Sequence, residues 1–357
     1  MMQANKTQRL IVTFLVAAIG GYIFSILNMP LPWVLGALTF TFIAQGLLKR
    51  EAYIPVPIKN TSFIILGIYF GLYFTLETFQ MILPYFLPYL LLTLILIFAS
   101  IVISIMVTKL SWVKVDSMTS IFGSIPGGLS EMTLASEAFK ARTSLVVIFQ
   151  TIRLVTVLFT VPSIMALLFG QGTGNTSGQA SSEVILGTPV SYLAFILPAL
   201  AALFLNKKIP AGIIIGAIGV TAALNITLVE LPAIPPTLMY AAQVAVGASL
   251  GKNILFRDIK AGGKLSFIYF GTSLGIIAFS ILLGVILANL TSLDYVTAIL
   301  SIAPGGLFEM VLTAYSLGGD PAVVSSLQLI RILVIVIGVP PLLGMLFRDR
   351  RSTSHIS

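Results

Sequence analysis

Between Asp116 and Pro162 and between Asp294 and Pro340 the chain repeats itself without a gap, at a shift of 178 residues (294 minus 116). The shift pairs Asp116 with Asp294, Thr119 with Thr297, Pro126 with Pro304, Gly127-Gly128 with Gly305-Gly306, Glu131 with Glu309, Gln150 with Gln328, and Arg153 with Arg331. Earlier in each half the shift becomes 180. MPLPWVLGA (29–37) then sits over IPAGIIIGA (209–217), and Gly67 and Gly71 sit over Gly247 and Gly251. Polar matches inside apolar sequence do not arise from shared apolarity, so the chain is an internal duplication.

The medium around the repeats follows from composition. Of 357 residues, 57% are hydrophobic and 9% charged, against about 25% charged in an ordinary soluble domain. Apolar runs of spanning length fall near 9–27, 31–48, 58–76, 84–108, 143–169, 184–205, 210–229, 236–256, 265–290 and 322–346. About 20 residues cross a hydrocarbon core of about 30 Å. The expected fold class is therefore an all-α polytopic membrane protein with ten full spans, five in each half. Lys6 and Arg9 before the first run give it the look of a signal peptide. The run exceeds the typical 7–15 residues and ends at no clear cleavage site, so it is expected to stay as the first membrane helix.

Two segments, 116–138 and 294–318, remain over, each broken by Pro-Gly-Gly. Loop charge decides whether they cross. If they do not, and the N-terminus is cytoplasmic, Lys49, Arg50, Lys109, Lys114, Lys140, Arg142, Lys207, Lys208, Lys252, Arg257, Lys260 and Lys264 fall inside, and the outer loops hold only acids. Full crossing would move four of these cations outside, against the positive-inside rule. The expectation is two inverted repeats of five transmembrane helices plus one broken or re-entrant element each. Its domains are membrane repeat 1 (9–169), a polar linker (170–183), membrane repeat 2 (184–347) and a basic cytoplasmic tail (348–357), and both termini face the cytoplasm of a bacterial cell membrane.

Pro126 and Pro304 each remove a backbone donor, and the glycines admit conformations other residues avoid. A half-helix beginning after Gly128 or Gly306 would aim N–H groups at a buried cavity, with Glu131 and Glu309 in or near its first turn. These glutamates either offset the helix dipole and cap its free N–H groups, or hold a coupling proton or sodium ion, or form a polar wall of the substrate site. Arg153 and Arg331 each follow a glutamine by three residues, sharing a helix face, and lie close to mid-membrane, where an arginine marks a functional site with a partner. Two roles stay open and compatible: an internal Arg–Glu lock on each broken element, or planar donors for an anionic substrate. Gly127, Gly128, Gly305 and Gly306 would add backbone donors, and Gln150 and Gln328 secondary contacts. Asp116 and Asp294 are expected N-caps, and Gly67, Gly71, Gly247 and Gly251 expected packing glycines.

At the repeated PGGL-x-EM motif and downstream Q-x-x-R, residues 9–347 resemble the AbrB-type duplicated bacterial membrane family. It is labelled an ammonia monooxygenase or a regulator of gene expression, and is distinct from the small DNA-binding regulator of that name. The resemblance implies the duplication and the fold. With no cysteine, and one histidine, His355, in the polar tail, the ligand sets of a copper or iron site are missing. No cofactor and no metal are expected. The expected function is not an enzyme but a secondary transporter for a small anion, coupled to protons or sodium. The alternative is a membrane sensor acting indirectly on gene expression. The partners are the bilayer, the anion and the ion; nucleic acid is not one, and self-association stays open.

Overall fold

The first broken segment is a helical hairpin whose two ends lie side by side. In the computed structural model, which describes residues 6–48, 51–110, 115–127, 129–170, 191–209, 212–227, 231–254, 260 and 262–346, Asp116 caps a short helix by accepting from the Thr119 N–H at 2.9 Å. The Thr119 hydroxyl then accepts from the Arg142 N–H at 2.8 Å, at the foot of the next span. The second segment repeats the tie: Asp294 accepts from Thr297 N–H at 2.9 Å, and the Thr297 hydroxyl accepts from Asp320 N–H at 2.8 Å. Each segment therefore returns to the level at which it began. Both aspartates are the expected N-caps.

Among the described residues every regular element is helical. The first half contains α1 (Lys6–Ile26), α2 (Pro32–Leu48), α3 (Val56–Gly71), α4 (Leu76–Leu110), the hairpin arms α5 (Ser117–Ser124) and α6 (Leu129–Ala138), and α7 (Thr143–Phe169). The second contains α8 (Ile196–Asn206, entered through a 3-10 turn at Ser191–Phe195), α9 (Gly212–Thr227), α10 (Pro236–Asn253), α11 (Lys264–Leu290), the arms α12 (Tyr295–Ile302) and α13 (Leu307–Ser316), and α14 (Pro321–Leu346). Each expected apolar run carries a helix, in the same order twice. By length and composition α1, α4, α7 and α11 are long and apolar enough to cross a membrane. Others are shorter: 16 residues in α3 and α9 rise only about 24 Å. α4 starts at Leu76 rather than 84 and keeps Pro84 and Pro88 inside it. Linker residues 171–183 and the tail lie outside the described residues, as does Gly128.

The halves are packed into one another. A Cβ placed on Gly67 or Gly71 of α3 would stand 2.6 Å from the Ala217 Cβ and 2.5 Å from the Thr221 Cβ of α9. A Cβ on Gly247 or Gly251 of α10 would stand 2.3 Å from the Val34 oxygen and 2.4 Å from the Leu38 oxygen of α2. Contacts this close are open only to glycine, and they supply the dispersion energy that drives helix association where water is absent. The partner numbers rise together in both pairs, so α3 runs parallel to α9, and α2 parallel to α10. In each pair the third helix of one half grips the second helix of the other.

The hairpin ends give a direct test in this cysteine-free chain. Single cysteines at Ser117→Cys and Ser144→Cys will react with a membrane-impermeant maleimide from one common face of sealed vesicles. A second pair, Tyr295→Cys and Ser316→Cys, will also share one face. Labelling of the two members of a pair from opposite faces would show that the segment crosses.

Candidate functional site

Breaking a helix inside a bilayer frees carbonyls that have no water to turn to, at a cost of several kcal/mol each. The first arm, α5, ends at Ser124, and Pro126 stops its continuation. Gln150 and Arg153 of α7 take up the freed oxygens. Gln150 Nε2 donates to Phe122 O (2.5 Å) and Ile125 O (3.1 Å). Arg153 donates from Nη1 to Ile125 O, and from Nη2 to Gly127 O at 2.8 Å. The second break is served alike. Gln328 Nε2 donates to Leu300 O (2.7 Å) and Ala303 O (3.2 Å), while Arg331 donates from Nη1 to Ala303 O and from Nη2 to Gly305 O at 2.8 Å. Gln and Arg three apart on one face reach successive oxygens of the unravelled turn.

The lock between each span and its broken element therefore runs through backbone carbonyls. No ion pair joins Arg331 to Glu309; among the described residues the ion pair present is Arg142–Asp116, at 3.9 Å and well exposed. Gly127, Gly305 and Gly306 act by closeness rather than by conformation, since none of them has a positive φ. Gly306 has φ −71°, and a Cβ on Gly127 or Gly305 would meet the Met132 or Met310 side chain, its nearest atom 2.8 Å or 2.5 Å away.

Glu309 sits in the first turn of α13, 5% exposed, beside the positive end of that half-helix. Its carboxylate folds back over Gly306, where an added Cβ would lie 2.0 Å from Oε2. The Glu131 side chain lies outside the described residues. Arg153 and Arg331, 6% and 2% exposed, come one from each half and stand within electrostatic reach of each other. Each keeps a buried Nε–H without a partner, and Gln150 and Gln328 each keep a buried Oε1 without one.

Several contributors escaped the sequence reading. The Tyr89 hydroxyl of α4 donates to Ser301 O in the second hairpin (3.2 Å), and the Tyr269 hydroxyl of α11 donates to Ser120 Oγ in the first (2.6 Å). Tyr269 also stacks on Phe149. The signal was available: Tyr89, Thr93 and Ser100 recur at a shift of 180 as Tyr269, Ser273 and Ser280, hydroxyl residues at helical spacing inside apolar runs. α13 also seats an aromatic cluster on α3: Phe308 stacks on Phe63 with centroids 5.0 Å apart, and Tyr315 lies 5.9 Å from both Tyr69 and Tyr73.

Apolar helices of spanning length around a duplicated, arginine-locked helical hairpin define an α-helical membrane protein. Residues 33–347 match the family model described as "Transition state regulatory protein AbrB", and the chain belongs to this AbrB family, in its membrane form rather than that of the small soluble regulator. A protein of Bacillus subtilis (strain 168), YhjN, described as uncharacterized, is 28% identical over 248 residues; the match spans 65% of this chain and 64% of that protein's length.

The carbonyl lock makes a prediction about stability. Arg331→Lys keeps the charge but loses the planar two-oxygen grip, and should cost about 2 kcal/mol. Gln328→Leu should cost about as much by orphaning buried carbonyls. Tryptophan-monitored unfolding of the detergent-solubilised protein will show both as lowered midpoints, with Glu309→Gln close to wild type.

Proposed function

We propose that this protein is a secondary transporter for a small organic anion, coupled to protons or sodium, with its halves inverted in the membrane. The observation that carries the reading is the pair of buried arginines. Like charges in a low-dielectric interior repel, and an anion entering between them relieves that repulsion while meeting the spare Nε–H donors. Both terminal nitrogens of each arginine bond a hairpin tip, so binding there is felt by both tips at once. Glu309 at the head of α13 is the group to exchange a coupling proton or sodium ion, so that anion and cation enter together without net charge.

The inversion is supported by the parallel run of α3 with α9 and of α2 with α10, because five full spans per half would reverse the second half and turn its helices to match. Inverted repeats with broken segments in corresponding places are a common build of secondary transporters, in which alternating access moves one part against the other around a mid-membrane site. On the loop charges, the first hairpin enters from the cytoplasm of the cell membrane and the second from outside. The family's description as regulatory favours a second reading: a sensor whose anion binding is relayed to gene expression through another protein.

Proteoliposomes with an imposed pH or sodium gradient and a panel of labelled small carboxylates separate the two. Gradient-driven accumulation of one compound is expected. Glu309→Gln should abolish accumulation while leaving counterflow exchange, because coupling is lost and the anion site is not. Binding without flux, in protein of unchanged unfolding midpoint, would set the transporter aside in favour of the sensor.

A further inference from the structure

Away from the hairpins, a cavity of 410 Å³ opens between α1, α2 and the start of the α2–α3 connection. Its size falls in the range of small-molecule sites. One end is polar. Arg9, in the first turns of α1, donates from Nε (3.2 Å) and Nη2 (2.6 Å) to the Glu51 carbonyl, leaving Nη1 uncommitted. The Glu51 side chain lines the same space. The other end is apolar, walled by Val12 and Val16 of α1 and by α2. Within it Thr41, 1% exposed, holds a hydroxyl that is buried and has no partner. Two further polar residues of the lining are committed to the fold: Gln45 bridges Gly251 O (3.0 Å) and the Ala52 N–H (2.9 Å), and the Thr13 hydroxyl donates to Arg9 O (2.7 Å). Gln8 completes the polar end.

We propose that this cavity is a binding site for one phospholipid bearing a phosphoethanolamine head. The lining sets one cation beside one acid, which complements a phosphate followed by a primary ammonium rather than a simple anion. The unpartnered Thr41 hydroxyl, on the apolar side, suits a glycerol-ester oxygen. A lipid source is favoured over the free head group because the wall continues onto a lipid-facing surface: Val12 is 40% exposed, with Leu15 58% and Ile19 53% further along α1. A chain leaving the cavity past Val12 stays on apolar surface, as an acyl tail requires. The proposal is independent of the transport reading, since none of its residues touches the hairpins.

Native mass spectrometry of the detergent-purified full chain tests it, titrated with phosphatidylethanolamine, phosphatidylglycerol and phosphatidylcholine of equal acyl length. One phosphatidylethanolamine should be retained in about threefold to tenfold preference over the other two, the range a partly exposed charge contact supports. Glu51→Gln keeps the carbonyl that Arg9 uses, and should reverse the preference toward phosphatidylglycerol, a swap that misfolding cannot mimic. Thr41→Val should weaken all three lipids about equally. Equal retention of the three lipids by wild type, or a preference unmoved by Glu51→Gln, would overturn the proposal. Displacement of the bound lipid by an equal concentration of glycerophosphoethanolamine would overturn the lipid source and assign the site to a soluble head group.

Discussion

A carbonyl stranded in hydrocarbon sets the terms for this molecule. Each Pro-Gly-Gly break leaves several such oxygens at the end of a two-turn helix, and the bilayer offers them nothing. The glutamine and arginine of the following span supply the missing donors, which fixes the depth of each hairpin tip at that of its arginine. Eight residues of α5 or α12 rise about 12 Å, and Arg153 and Arg331 stand ten residues into α7 and α14 by number, about 15 Å. The two differ by only the rise of about two residues, which the turn after each arm covers, so each hairpin reaches as deep as its lock.

With the tips anchored, the remaining contacts explain why they stay together. Tyr89 and Tyr269 each cross from the fourth helix of one half to the hairpin of the other, so neither tip is held by its own half alone. The grip of α3 on α9 and α10 on α2 supplies a second, apolar connection built on backbone closeness. In lipid no hydrophobic gain is available between helices, and interfaces must rest on close packing and hydrogen bonds. Both kinds of contact occur here in duplicate.

Much of this was legible in the sequence. Proline and glycine at matched places announced the breaks, Q-x-x-R announced a polar face at mid-membrane, and aspartate followed three residues on by threonine announced the caps. What could not be read was the partner of each arginine. Glutamate is the obvious counter-charge, yet at the break the backbone itself carries the negative end, and a guanidinium answers two carbonyls as well as one carboxylate. The second role of Thr119 and Thr297 was hidden for a related reason. Their hydroxyls bond N–H groups 23 residues away, a separation with no local signature. The glycines were visible, but their cause is steric: methionine side chains crowd Gly127 and Gly305, and the Glu309 carboxylate crowds Gly306, approaches that only the folded chain reveals.

The duplication has not kept its two copies equal. Phe308 and Tyr315 of α13 settle among Phe63, Phe70, Tyr69 and Tyr73, whereas a shift of 178 puts Ser130 and Glu137 in their places on α6, and a shift of 180 puts Gln243, Leu250, Ser249 and Asn253 opposite. One hairpin rests on a cushion of rings at α3, where the matching positions of the other copy carry no aromatic residue. Two seats that the duplication would make alike are thus built from different side chains. A molecule built from two copies of one sequence thereby acquires a sidedness, written into a handful of aromatic rings.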